Sequence, residues 1–342
     1  MKTTLARLLT LAALTIVPCL LGPRLARAEA PAPALATMEL TGPYVYQNLA
    51  VFAVHDKNAA KHEEVLTLQE ALTKKVVTVQ ETGDVNRLLA SNHGKEAVYL
   101  QSGDIVKGGR QDRVLQHDTL LPAHSKKVAL NVFCVESGRW QNRGSESVHH
   151  FASSNEAFMT KRQKMAVKVA ASQGAVWDSV AAAQADMGSK LGASVHAPAS
   201  STSLQLSLED KKVRESVDDY LRNIEKQIPE KDDVVGYAVA VNGKVDSVDV
   251  FASPSLFGKM KGKLLKASAT EAVASKSDKT TATPDASAVR SLIADAESGA
   301  AKAEKQNLRT KVTRKETSKN VVFTTDDPFV RGKPVHKNYL AK

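Results

Sequence analysis

The sequence predicts an α+β fold: a β-sandwich-like or partly closed barrel N-terminal half, packed helices, and a C-terminal β-hairpin followed by a helix. Three observations carry this expectation. Between residues 97 and 135, short runs of strand formers alternate with Gly, Asp, Ser and Pro turns, the pattern of a sandwich or barrel. Residues 208–228 place Val213, Val217, Tyr220, Leu221, Ile224 and Ile228 at helical spacing. Residues 234–251 form two strand-like runs joined by Asn242-Gly243, the pair preferred by a type I′ hairpin turn.

The elements follow in order. Residues 1–28 have the layout of a secretory signal peptide: Lys2 and Arg7, an apolar run over 8–22, then Ala26-Arg27-Ala28 for cleavage. That run is shorter than the roughly 20 residues that span a bilayer as a helix, so export to the periplasm or the extracellular space is expected. Residues 29–37 are an Ala/Pro-rich linker. A single α+β domain is expected over 38–270. Within it, strands are expected from Leu40 onward and over 76–79, with short helices over 63–74 and 84–91. The alternation of Met165, Val167 and Val169 with Lys164 and Lys168 predicts a strand, and residues 175–191 predict a helix. For 208–228, Ser207 is the expected N-cap, with Asp210 in the capping-box position. Pro254 opens a last helix at its first position. Residues 271–318 turn to Ala, Lys, Ser and Thr, predicting a low-complexity linker with an Ala-rich helix over 288–308. Residues 319–342 regain apolar content and are expected to return as a strand.

Charge narrows the partners. The chain carries +10. Four basic residues and no acidic ones lie in 1–28, and residues 259–342 alone hold +9, so residues 29–258 are slightly acidic, at −3. A basic C-terminal tail points to an anionic envelope polymer or membrane surface as partner. Aromatic residues are few and do not interleave with the basic ones, which argues against nucleic acid. Cys19 leaves with the signal, so Cys134 has no disulfide partner; inside an apolar run it is expected to be a buried thiol.

The densest polar chemistry lies in two blocks. Gly103-Asp104-Ile105-Val106-Lys107-Gly108-Gly109-Arg110-Gln111-Asp112-Arg113 is followed by Phe133-Cys134-Val135-Glu136-Ser137-Gly138-Arg139-Trp140. Glycines let backbone amides approach a ligand, and guanidinium forks match carboxylate and phosphate. Lys107, Arg110, Gln111, Arg113, Glu136, Arg139 and Trp140 are therefore the expected binding residues for an anionic small molecule. The opposing reading pairs the arginines with Asp104, Asp112 and Glu136 as a structural lock. Two other functions stay open: a hydrolase of a phosphorylated or ADP-ribosyl substrate, with Asp104, Asp112 or Glu136 as general base, and an envelope-interaction protein acting through the tail. The glycine spacing over 103–108 lacks the Lys-Ser/Thr of a P-loop, and His149-His150 have no further ligands at metal spacing. No cofactor or metal is expected.

These two blocks resemble the signature of the ARG (ADP-ribosylglycohydrolase) and rhodanese-phosphatase-superfamily-associated protein domain family. Val176-Trp177, Gly236-Tyr237 and the run from Phe251 to Phe257 are also similar to it. The resemblance spans about 38–270 together with the final strand. It implies a link to ADP-ribose or phosphoester chemistry and supports the same seven residues as a shared site or a shared lock, without catalytic roles to carry over.

Overall fold

Asn242 and Gly243 both adopt positive φ, 50° and 75°, as a type I′ turn requires. They join Val234–Val241 to Lys244–Phe251 in register. This hairpin is the middle of an eight-stranded antiparallel sheet. In spatial order the strands are Glu39–Tyr46, Leu49–His55, Val234–Val241, Lys244–Phe251, His336–Ala341, Asn320–Asp326, Thr310–Glu316 and Ala300–Asn307. Every residue of Val234–Val241 is buried. Its Tyr237 and Val239 side packs with Val213, Val217, Phe257 and Leu265 of two helices, and its Val235 and Ala238 side packs with Val289, Leu292 and Ile293 of a third. Burial on both faces explains an apolar run without alternation. The computed structural model describes residues 38–59, 64–154, 160–277, 281–329 and 334–342; the expected signal peptide and linker over 1–37 lie outside them.

The N-terminal half bears out the partly closed barrel. Six strands run in the order Phe151–Ser153, Ile105–Gly108, Arg113–Leu115, Val128–Cys134, Arg87–Asn92 and Val77–Glu81. The two ends meet through the Gln80–His150 bridge and the bond from the Glu81 amide to the His149 carbonyl at 3.1 Å. A three-stranded sheet of Leu66–Thr67, Val98–Leu100 and Thr119–Leu121 shares its apolar interior.

Several local expectations change. Residues 84–91 are not a helical turn. The Asp84 carboxylate accepts from the Asn86 amide at 2.9 Å, but the chain then extends as Arg87–Asn92, with Leu88 and Ala90 buried on one side. The expected strand around 165–169 is helical: Lys161–Met165 runs into a π-helical turn, Ala166–Ala170. Lys164 and Lys168, which gave the run its period-2 alternation, are both buried. The long helix is Lys211–Glu225, with Asp210 as N-cap accepting from the Lys212 and Val213 amides. Ser207 instead belongs to the short helix Leu204–Leu208, and its hydroxyl is held by Gln184 at 2.8 Å.

The largest difference lies in 271–318, expected as a linker. Pro254–Ala274 continues past residue 270, Ala286–Ser298 is a helix capped by Asp285, and Ala300–Asn307 and Thr310–Glu316 are sheet strands. Composition concealed this because few apolar residues do the packing: Val289, Leu292, Ile293 and Ala296 on the helix, and Val312 on the hairpin. Basic side chains there are tied down locally: Lys315 and Lys337 to Glu297 at 2.9 and 2.5 Å, Lys342 and Arg314 to Glu316 at 2.6 Å each. Residues 259–342 are thus folded structure wherever they are described, and the expected returning strand is two central strands. Among the described residues no helix is long and apolar enough to cross a membrane.

Candidate functional site

The Gly108-Gly109 pair sits at the hairpin between Ile105–Gly108 and Arg113–Leu115. Gly109 has φ +57°, and a Cβ there would fall 2.4 Å from Cζ of Phe151, so only glycine fits against that ring. The returning chain brings Asp112 under the turn, where its Oδ1 accepts from the Gly108 amide at 3.0 Å. Glu136 follows the strand Val128–Cys134 and accepts from the Asp112 amide at 3.3 Å.

Two guanidiniums close over these two fully buried carboxylates. Arg139 Nε donates to Glu136 Oε1 at 2.8 Å. Its Nη2 lies 2.8 Å from Oε2 as an ion pair without hydrogen-bond alignment. Arg143, absent from the predicted set, donates to Asp112 Oδ2 at 3.2 Å and to Glu146 Oε1 at 3.0 Å. Burial pushes Asp112 above the usual carboxylate range, with the Arg143 charge opposing it. Burial also acts to raise Glu136, but the hydrogen bonds from Arg139, Ser200 and the Asp112 amide, together with the Arg139 charge, outweigh it and hold the carboxyl below its ordinary value.

The other predicted residues divide. Arg113 is buried, donating to the Gln111 carbonyl at 2.5 Å and reaching Glu81 at 3.5 Å. Gln111 is fully buried, and among the described residues its side-chain amide has no hydrogen-bond partner. Lys107 is half-buried and bonds Glu209 at 2.8 Å. Asp104 is held by Lys263 at 3.0 Å. Arg110 is exposed, with no ion pair among the described residues, and Trp140 is 57% exposed. Arg139 Nη1 donates to the Gly109 carbonyl at 3.3 Å, so Arg110 and Trp140 leave the same contact as its chain neighbours. The predicted set therefore comes together mostly as a lock, with two members on the surface. A groove of about 790 Å³ beside Tyr237, Phe257 and Lys259 contains none of it.

A second buried polar centre was missed. His336 lies 2.8 Å through Nδ1 from Asp118 and 3.1 Å through Nε2 from Asp249. Two ionised carboxylates can only accept, so both ring nitrogens carry protons and the imidazole is a cation. Burial opposes that charge, but the two aspartates more than offset it and raise His336 above its ordinary value. Asp118 also accepts from Tyr99, Thr325 and the Ser102 amide. The sequence signal was faint: single polar residues, Asp249 and Asn338, inside strand-forming runs. Among the described residues no group of three or more His, Cys, Asp or Glu is arranged to hold a metal.

Fold and site together define an α+β domain in which a nearly closed barrel and a large antiparallel sheet are pinned by buried charge networks. The chain belongs to the ARG and Rhodanese-Phosphatase-superfamily-associated Protein domain family, whose model matches residues 37–340. That match runs through the hairpin at 300–316, beyond the 38–270 span of the first resemblance. No curated protein and no solved structure matches the chain.

Proposed function

We propose that this is an exported binding domain that takes an anionic, ring-bearing small molecule at the surface shared by Arg110 and Trp140. One observation carries the reading. Arg110 is the exposed guanidinium of the block and follows Gly109, whose carbonyl Arg139 holds, while the residue after Arg139 is Trp140, an indole more than half exposed. An indole face stacks on a flat ring, and a guanidinium fork pairs with phosphate or carboxylate. The buried network beneath supports this by fixing both side chains' backbone, which lowers the ordering cost of binding.

The hydrolase reading draws less support. Asp104, Asp112 and Glu136 each commit a buried carboxylate to Lys263, Arg143 or Arg139, whereas a general base needs a lone pair within reach of the proton it takes. Export rests on the pattern in residues 2–28.

A thermal-shift screen with ADP-ribose, nucleotides and sugar phosphates tests the proposal. A ligand at a hundredfold its Kd adds about 2.7 kcal/mol of stability. Stabilisation by at least one compound, lost in Arg110→Ala and Trp140→Ala, is expected; a flat response to all of them contradicts it.

A further inference from the structure

Two lysines lie close to the Asp118–His336 centre without joining it. Lys168, on the π-helical turn, is buried and donates to Asn338 Oδ1 at 2.9 Å. Its ammonium also sits 4.3 Å over the Phe323 ring. Lys305, on the strand Ala300–Asn307, donates to Thr119 Oγ1 at 2.9 Å. Neither has an ion-pair partner among the described residues. His117 lies beside Thr119, whose hydroxyl donates to the His117 carbonyl at 3.4 Å; it is 5% exposed, and its Nδ1 has no hydrogen-bond partner among those residues. Asn307 shares the Lys305 face of the strand, and both polar atoms of its amide are likewise buried and unpartnered. Across the hairpin, Thr310 accepts from the Leu120 amide, so this face meets the segment 117–120.

The nearby carboxylates are already used. Asp118 takes His336, Tyr99, Thr325 and Ser102. Asp249 takes His336 and Asn338, with Lys164 at 4.0 Å. Asp246 faces Lys161 at 3.1 Å, and Glu304 faces Arg314 at 3.5 Å. The buried Lys168 and the part-buried Lys305 thus bond directly only to neutral oxygens, and the carboxylate charge that reaches both, Asp118, acts from beyond ion-pair distance, a costly placement for an ammonium. The unpartnered Asn307 amide lies on the strand face that meets residues 119 and 120, and the unpartnered His117 ring adjoins that segment in the chain.

We infer that Lys168, Lys305, His117, Thr119 and Asn307 form a binding site for a phosphate group, entered past the half-exposed Lys305. Lysine serves phosphate as a point charge, the Asn307 amide and the His117 imidazole supply directed donors for a tetrahedral oxyanion, and the Thr119 hydroxyl holds the Lys305 ammonium in place. Burial lowers both lysines to about 8. It also lowers His117 to about 4, with Lys305 and Lys168 adding to that fall; a bound phosphate would oppose each of these shifts. The site is separate from the Arg110–Trp140 surface, because it contains none of the lock residues Asp112, Glu136, Arg139 and Arg143.

The test is the thermal midpoint of the full chain in orthophosphate or phenyl phosphate, against chloride at equal ionic strength. Stabilisation by orthophosphate alone assigns free phosphate; stabilisation by both assigns the phosphate end of a larger molecule. Lys305→Met and Asn307→Ala, each checked for native circular dichroism, are expected to weaken the orthophosphate response at least tenfold in concentration. Absence of stabilisation by either anion overturns the inference, as does an undiminished response in both folded variants. If Lys305→Met fails to fold, Asn307→Ala decides alone.

Discussion

Asp118 and His336 meet at 2.8 Å although 218 positions separate them in sequence. That contact, continued to Asp249, ties the C-terminal strand to the barrel half and to the central hairpin. Breaking a buried charged pair by removing one partner costs about 3–5 kcal/mol. His336→Gln is expected to lower stability by that order, measured by urea unfolding.

The same contact sets a pH dependence. The folded His336 value is raised, so its contribution is complete below about pH 6.5 and fades as pH rises through the folded value. Lys168 and Lys305, both lowered to about 8, act in the opposite direction as pH rises. The informative quantity is therefore the stability difference between the wild type and His336→Gln, which is expected to shrink from pH 6 to pH 10. A constant difference would show that the imidazole is not charged in the folded chain.

Gly109→Ala places a methyl group against the Phe151 ring at a left-handed backbone position. The left-handed strain costs about 1–2 kcal/mol and overpacking a further 1–3 kcal/mol or so. Thermal unfolding checks the loss, and adding Phe151→Leu is expected to recover only the overpacking part.

Truncation tests the reassigned C-terminal region. Asn320–Asp326 and His336–Ala341 are central in the large sheet, and His336 itself lies there. A chain ending at residue 299 is expected to lose its cooperative unfolding transition. A linker and tail would have left a stable body behind.

Much of the central architecture was legible from local pattern. The Asn242-Gly243 turn, Pro254 at a helix start and the spacing of Val213, Val217, Tyr220 and Ile224 each express a backbone or burial requirement in consecutive residues. What was illegible depended on partners distant in sequence. Lys164 and Lys168 look like solvent positions until Asp249 and Asn338 arrive from the large sheet. The Lys- and Glu-rich strands at 300–316 look unstructured because ion pairs, with Val312, take the place of a wide apolar face. The Gly/Arg block was found by composition, but residue types could not decide between a lock and a pocket. The answer divides the block, because Arg139 and Glu136 face inward while Arg110 and Trp140 face out.

Export has its own check. Protein recovered from the periplasm or the culture medium is expected to begin at Glu29, by intact mass and N-terminal sequencing. A cell-retained chain that still begins at Met1 would remove that part of the proposal.

The central claim is ligand capture beside the lock, and the most direct measurement is calorimetric titration of the best-stabilising compound from the screen into the wild type, Arg110→Ala and Arg139→Ala. The account predicts that Arg110→Ala weakens binding at least tenfold, about 1.4 kcal/mol, with unfolding unchanged, whereas Arg139→Ala lowers stability. Wild-type affinity retained in Arg110→Ala would contradict it.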